Sequence, residues 1–224
     1  MYTKLREHKG TSLLIFPDNY VIVDIETTGF NPKIDEIIEI GAVKVGDNKI
    51  TSIFQSLVRP RNSINNYISK LTGITNEMVV EANPIEVVLE SFISFIGDAV
   101  LVGHNVNFDV NFLYDHCEAH LHHYLKNDFI DLKELFRVKK HSGDTFKPTC
   151  EKCAIQNTNA HRALSDCLAT NNLYQSLKMH NGSIACVEEL DTLTLASEFK
   201  TNHSPYKKQC QLKNTIHSEI AQVS

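Results

Sequence analysis

The first third of the chain carries hydrophobic residues in the short, partly alternating runs that are typical of β-strands. Strand candidates occupy residues 20–25, 37–45 and 50–58. The segment GDNK (46–49), between the second and third runs, favours a tight hairpin. We therefore predict an antiparallel meander of three strands in this part of the chain.

Further along the chain, hydrophobic residues recur at the spacing of an amphipathic helix. The clearest such segment begins at Pro84, which suits a helix start, and ends at Gly97, which suits a helix end. Strands that first follow one another and then alternate with helices predict an α/β fold, in which the meander leads into parallel strands of a central mixed sheet flanked by helices. Short strands are predicted at 99–103 and 129–131, and further helices at 107–120, 131–140, 149–156 and 161–179.

The 224 residues predict one ordinary domain over residues 1–180 and a C-terminal extension over residues 181–224. In that extension we expect one more helix and then a polar, flexible tail. No apolar run approaches the length of a membrane helix, about 20 residues, and the stretch LLIF is too short for a signal peptide. We therefore expect a cytoplasmic protein without membrane contact, whose six cysteines are reduced thiols.

Two carboxylates end the most hydrophobic strand, in the segment VIVDIETTGF (21–30). Asp24 and Glu26 are two residues apart, so in a strand they point to the same face. They lie at the carboxyl end of the strand, where ligands bind in open α/β sheets. Because the two charges repel one another, a divalent cation such as Mg²⁺ or Mn²⁺ is the usual partner. The alternative is a solvated strand end whose acids face water.

Two later segments carry further candidate groups. In GHNVNFDVNFL (103–113), Asp109 falls in the first turn of a predicted helix among aromatic residues, where it either pairs or simply complements the helix dipole. In NAHRALSDCLAT (159–170), His161 and Asp166 are five positions apart, about 140° on a helix. We therefore place Asp166 within the helix and His161 in its first turn or in the preceding loop. Ordinary surface roles are the alternative for both.

Together these segments supply four carboxylates at the edges of predicted elements, and one histidine. Four negative charges balance two divalent cations, which fits two-metal phosphoryl transfer with the metals about 4 Å apart. A histidine suits the removal of a proton from water near neutral pH. The net charge of −5 argues against a large non-specific nucleic-acid surface, but it leaves room for a small site that holds a strand end through bound cations.

The three segments DIETTG, HNVNFD and HRALSD resemble, in order and spacing, the exonuclease motifs of the DnaQ-like (DEDDh) 3′→5′ exonucleases. That family includes the epsilon subunit of bacterial DNA polymerase III and the exonuclease domain of the Gram-positive replicative polymerase. The resemblance extends over roughly residues 18–180 and includes the segment LTGIT (71–75).

The resemblance implies a ribonuclease H-like fold and a site in which Asp24, Glu26, Asp109 and Asp166 bind two Mg²⁺ or Mn²⁺ ions. It implies that His161 is the general base. The implied reaction is hydrolysis of the 3′-terminal phosphodiester of single-stranded or frayed DNA, with release of nucleoside 5′-monophosphates, as in proofreading or repair. The positions that match the family's substrate contacts are Thr27, Thr28, Phe30, Leu71, Thr72, His104, Asn105 and Phe108.

Other functions remain open on the sequence. The motifs do not separate DNA from RNA, since that choice depends on contacts to the 2′-hydroxyl. An RNA 3′-exonuclease that trims ends or short oligoribonucleotides is therefore the main alternative, and a non-catalytic module that docks on a polymerase is a further one. The expected partners are nucleic-acid 3′ ends and, as a candidate, a DNA polymerase or another replication protein. The extension contains no recognisable clamp-binding or polymerase-binding peptide.

Two segments rich in cysteine or histidine are further candidates for metal binding. CEKC (150–153) has the spacing of half a zinc site or of a redox pair, but no second pair of matching spacing is present, so a short structural helix is preferred. His116 and His120 are spaced to share a metal on one helix, but no acidic third ligand is apparent, so a solvated helix end is preferred.

Overall fold

The computed structural model describes residues 6–135 and 161–181. Five strands form one mixed sheet in the order β3-β2-β1-β4-β5. The strands are β1 (Tyr20–Thr27), β2 (Ile37–Gly46), β3 (Lys49–Leu57), β4 (Leu101–Gly103) and β5 (Phe129–Asp131). The helices are α1 (Asn66–Thr72), α2 (Asn76–Val79), α3 (Ile85–Ile96), α4 (Asn107–Leu121) and α5 (Ala163–Asn181), and residues 132–135 form one further helical turn.

The sheet has the mixed pairing that the sequence predicts. β2 pairs antiparallel with β1 and β3, whereas β4 pairs parallel with β1 and β5 pairs parallel with β4. β1 is the central strand, and all but one of its residues are buried. The carboxyl ends of the three parallel strands β1, β4 and β5 therefore share one edge of the sheet, where ligands are expected.

Alternate residues of β1 contact different layers of helices. Val21 and Val23 belong to the core that packs against α3 and α4. Tyr20 and Ile22 belong to a second core that packs against α5. Because side chains two positions apart share a face, Asp24 and Glu26 continue the row of Tyr20 and Ile22 towards α5.

The hairpin between β2 and β3 confirms the turn predicted at GDNK. Asp47 and Asn48 have φ angles of 50° and 62°. A two-residue turn with both central residues in the left-handed region matches the twist of antiparallel strands, and Asp and Asn tolerate that region better than most residues.

Two helices were missed between the meander and α3. α1 is only seven residues long; the Asn65 side chain accepts a hydrogen bond from the Ile68 amide at 2.9 Å at its start, and Gly73, with a φ of 71°, ends it. α2 is a single turn of four residues. α3 matches the predicted helix to within one residue at each end.

Several predicted features lie outside the described residues. They are the helix pattern beyond residue 135, the one at 149–156, the CEKC motif and the extension beyond residue 181. In the part of the chain that the structure describes, no helix combines the length and the apolar character that a membrane crossing requires.

Candidate active site

The two acids of β1 lie at the end of the strand, as predicted. Glu26 is buried and Asp24 is partly exposed. The pairing with β2 becomes irregular between Glu26 and Thr27, immediately after the second acid. The regular strand thus ends where its two carboxylates reach the ligand-binding edge of the sheet.

Asp109 reaches the same edge from α4. It lies in the first turn of that helix and is buried. Its Oδ1 accepts a hydrogen bond at 3.0 Å from the backbone amide of Ile25, the residue between the two strand acids. The close approach of the β4–α4 turn to β1 depends on Gly103, since a Cβ there would lie 2.9 Å from the Val23 carbonyl oxygen. The predicted position of Asp109 in the first helical turn is confirmed.

Asp166 and His161 come from the start of α5. Asp166 lies in the first turn of the helix, and His161 lies two residues before the helix begins. The backbone amide of His161 donates a hydrogen bond to Asp166 Oδ2 at 3.1 Å. His161 has a φ of 70°, in the left-handed region, so the helix cannot extend back through it. The placement of Asp166 in the helix and of His161 before it is confirmed.

The carboxylates of Asp24, Glu26 and Asp166 form one compact cluster. Each offers an oxygen, and these three oxygens all lie within 4.8 Å of one another. Within the described residues no other group of three or more histidine, cysteine or acidic side chains is arranged in this way.

The cluster has the electrostatic character of a cation site. Burial raises the pKa of Glu26 well above its usual value, and the charges of Asp166, Glu39 and Asp109 raise it further. Glu26 Oε1 is buried and has no hydrogen-bond donor among the described residues. A buried acceptor without a donor, next to other carboxylates, is costly unless a cation compensates it. The donor set is oxygen only, which suits Mg²⁺ or Mn²⁺.

Glu39 on β2 is an acid of this site that the sequence analysis missed. It lies opposite Glu26 in the register of the two strands and is fully buried. Burial alone would raise the pKa of Glu39, but hydrogen bonds from Arg162, the Ala163 amide and Gln55 outweigh it and hold the pKa below its usual value. The available signal was an acid inside the otherwise apolar run IIEIGAV.

Asp131 at the end of β5 was also missed. Its Oδ1 accepts hydrogen bonds from the backbone amides of Asn105 at 2.9 Å and Lys133 at 3.0 Å. Burial raises the pKa of Asp131 despite these bonds. Through Asn105, whose φ is 59°, Asp131 fixes the turn that leads into α4 and its Asp109.

The residues expected to contact substrate lie on three parts of the fold. The first group follows Glu26 at the end of β1, the second lies at the end of α1, and the third lies in the β4–α4 turn and the start of α4. The Thr72 hydroxyl donates to the Ile68 carbonyl and accepts from the Ile74 amide, which leaves it an internal structural role. In chain order, the three groups of expected substrate contacts are Thr27, Thr28 and Phe30 after β1, Leu71 and Thr72 on α1, and His104, Asn105 and Phe108 around the β4–α4 turn.

His116 and His120, the candidate metal pair, stack on one another on α4. The rings of His116 and His120 are nearly parallel, with centroids 5.6 Å apart. His116 Nε2 contacts the Asp35 carbonyl oxygen at 3.1 Å, and His120 Nδ1 contacts Glu86 Oε1 at 2.8 Å. The pair is therefore partly buried and hydrogen-bonded, which corrects the expectation of a solvated helix end.

Comparisons with known proteins identify similar sequences. The model of the family RNase_T, described as exonuclease, matches residues 21–174. Among curated proteins, the DNA polymerase III PolC-type of Caldanaerobacter subterraneus subsp. tengcongensis is 36% identical over 203 residues, which cover 88% of this chain and 14% of that protein. That of Clostridium perfringens is 40% identical over 180 residues, which cover 72% of this chain and 12% of that protein. The chain thus spans only a small part of the length of these relatives.

Solved structures confirm the predicted ribonuclease H-like fold. The zinc-bound complex of E. coli exonuclease I with single-stranded DNA superposes with a TM-score of 0.64 at 16% identity, over 75% of this chain and 42% of that chain. Exonuclease X in complex with 5′-overhanging duplex DNA superposes with a TM-score of 0.50 at 24% identity, over 78% of this chain and 99% of that chain.

Proposed function

The chain belongs to the RNase_T exonuclease family, and on that premise we propose that it is a metal-dependent 3′→5′ exonuclease. It would hydrolyse the 3′-terminal phosphodiester of single-stranded or frayed DNA and release nucleoside 5′-monophosphates. The observation that carries this proposal is the cluster of Asp24, Glu26 and Asp166, whose oxygens lie within 4.8 Å of one another at the ligand-binding edge of the sheet.

Four acids would hold two divalent cations at this edge. Asp24, Glu26 and Asp166 form the cluster, and Asp109 lies beside it through its bond to the Ile25 amide. When bound, Mg²⁺ or Mn²⁺ would supply Lewis-acid stabilisation of the charge that develops on the phosphate in the transition state. The acid set fits a cation site because the carboxylates repel one another without one, and because Glu26 Oε1 has no donor among the described residues.

His161 is the proposed general base. A neutral imidazole can accept a proton from the attacking water. Its backbone amide is bonded to Asp166, so the base is tied to one of the proposed metal ligands. This arrangement supports a role beside the reacting phosphate.

DNA is the proposed substrate because the matched relatives are DNA polymerases and the superposed exonucleases are complexes with DNA. Phe30, just beyond the β1 acids, is the proposed stacking partner of the terminal base, a contact that tolerates any base. A DNA polymerase or another replication protein is the proposed partner.

The test is a gel assay with 5′-labelled single-stranded DNA and RNA of the same sequence. We expect Mn²⁺ or Mg²⁺ to produce a ladder that shortens from the 3′ end of DNA, and a chelator to abolish it. Asp24→Asn should abolish the ladder, because it removes a charge from the cluster while preserving the side-chain shape. Asp98→Asn, which changes an exposed acid beyond the other edge of the sheet, should leave it intact.

Three results would contradict the proposal. An unchanged ladder in Asp24→Asn would show that the acid cluster is not the catalytic site. Faster degradation of RNA than of DNA would replace the substrate with RNA and favour an end-trimming ribonuclease. Absence of degradation of either strand by the folded protein would favour a docking module.

A further inference from the structure

Glu39 and Arg162 form an ion pair between β2 and the residues that precede α5. Arg162 Nε lies 3.2 and 3.1 Å from the two carboxylate oxygens of Glu39, and Arg162 Nη2 lies 2.8 Å from Oε1. The Ala163 backbone amide donates to Glu39 Oε2 at 3.0 Å, and the Gln55 side-chain amide donates to Oε1 at 3.0 Å. Four donor groups therefore converge on one carboxylate that is fully buried.

These contacts hold a turn whose backbone lies in the left-handed region. His161 is held at a φ of 70°, in the left-handed region that few residues other than glycine adopt, and such a conformation persists only where surrounding contacts impose it. The next two residues, Arg162 and Ala163, both bond to Glu39. The His161 amide itself bonds to Asp166.

The Glu39 carboxylate also connects the His161 turn to β1. Glu39 lies directly opposite Glu26 in the strand register. The position of His161 and Asp166 relative to Glu26 is thus set through one buried side chain of the neighbouring strand.

We propose that Glu39 and Arg162 are positioning residues, which hold the His161 turn and Asp166 in register with Glu26. The inference rests on the proposed exonuclease function. Neither side chain is needed to touch the substrate. Loss of the pair should therefore lower kcat and weaken cation binding, while the KM for DNA changes little, because the proposed base contacts lie on other parts of the fold.

The chain offers a matched control in Arg6 and Asp115. This pair is also bidentate, with Nε and Nη2 of Arg6 at 2.7 and 2.6 Å from the two oxygens of Asp115. It joins the N-terminal segment to α4, and neither residue is proposed to act in catalysis. Arg6→Gln therefore reports what the loss of a bidentate ion pair does to the fold alone.

The experiment compares Glu39→Gln, Arg162→Gln and the double variant, which we call the clamp variants, with Arg6→Gln. Since a misplacement of about 1 Å can cost about 100-fold in rate, we expect kcat on 5′-labelled DNA to fall about 10- to 100-fold in the three clamp variants. The two single variants leave opposite charges behind, so a similar loss in both identifies geometry as the cause. The double variant should lose little more than either single variant, because the residues act as a unit. Arg162→Lys keeps the charge without the planar fork and should recover only part of kcat.

Mn²⁺ affinity, measured by titration calorimetry, provides a readout that is independent of turnover. It should fall in the clamp variants and stay at the wild-type value in Arg6→Gln. The double variant leaves no unpaired buried charge, so it carries the test if a single variant does not fold.

The proposal is overturned if the clamp variants keep wild-type kcat and Mn²⁺ affinity while their melting temperatures fall as in Arg6→Gln. The pair would then only stabilise the fold, and the exonuclease function would still stand. If wild-type protein degrades no DNA, the exonuclease function fails instead, and the Mn²⁺ affinities alone decide whether Glu39 and Arg162 shape the acid site.

Discussion

At the scale of single residues, His161 combines a left-handed backbone conformation with the side chain that is proposed as the general base. If it is the general base, His161→Ala should lower kcat by about 10²- to 10⁴-fold, the usual contribution of a positioned base, and should change KM little. Steady-state kinetics on single-stranded DNA would measure both constants. His123→Ala, which changes an exposed histidine at the end of α4, is the control and should behave as wild type. A loss confined to KM would make His161 a binding residue.

The sequence revealed the residues whose surroundings are local. Asp24 and Glu26 are recognisable because they end a hydrophobic strand, and Asp166 because it follows a histidine at the start of a helix. Glu39 was not recognisable in this way, since Arg162, its partner, is 123 positions away. The burial of a charge is decided by which distant segment packs on it, and a single sequence does not contain that information.

At the scale of elements, the site depends on how closely α5 approaches β2. Gly41 lies at the contact, and a Cβ there would be 2.5 Å from the backbone of Ala163 and Leu164. The missing side chain therefore allows the first turn of the helix, with Asp166, to lie directly on the sheet. Cys167, one residue further, points its Sγ at the Gly41 carbonyl oxygen at 3.2 Å.

Gly41→Ala should displace the start of α5, because the neighbouring atoms are backbone and cannot move aside. We expect a loss of about 1–3 kcal/mol in the free energy of unfolding, as for other overpacked sites, together with a fall in exonuclease activity. Urea unfolding and the gel assay would measure the two effects. Gly46→Ala is the control, since a Cβ there would be 3.3 Å from a Thr51 methyl group, which can adjust. Full activity in Gly41→Ala would show that the helix start tolerates displacement.

The elements differed in how well their sequence patterns predicted them. β2 and β3 were recognised to within a residue or so because alternation and turn residues agree. α1 was missed because seven residues make only two turns, too few for a periodic pattern, and its only local signals were the Asn65 cap and Gly73 after its end. α5 begins two residues later than predicted because the left-handed φ of His161 cannot be accommodated in a helix.

At the scale of the whole molecule, the fold brings acids from two strands and two helices to one edge of the sheet. β1 supplies two, β2 supplies Glu39, and the first turns of α4 and α5 supply one each. Glu39 is neutralised by a bidentate arginine. Burial and the charges of Asp166, Glu39 and Asp109 disfavour the charged form of Glu26, so the site is maintained at a cost in stability, as is common at functional sites.

This cost predicts that neutralising the site by mutation or by a bound metal ion stabilises the protein. Glu26→Gln should raise the melting temperature of metal-free protein, because it replaces a buried carboxyl, whose charged form is disfavoured by burial and by its acidic neighbours, with a neutral amide. Mn²⁺ should raise the melting temperature of wild-type protein. At a free Mn²⁺ concentration of 100 times the dissociation constant, the free energy of unfolding should rise by about 2.7 kcal/mol. The variant should lose most of that response, since it lacks one proposed ligand. Thermal unfolding with chelator and with Mn²⁺ would measure all three effects, with Asp98→Asn as the control for removal of an exposed charge. If Mn²⁺ stabilised both proteins equally, the cation would bind elsewhere and the acids at the end of β1 would have no part in holding it.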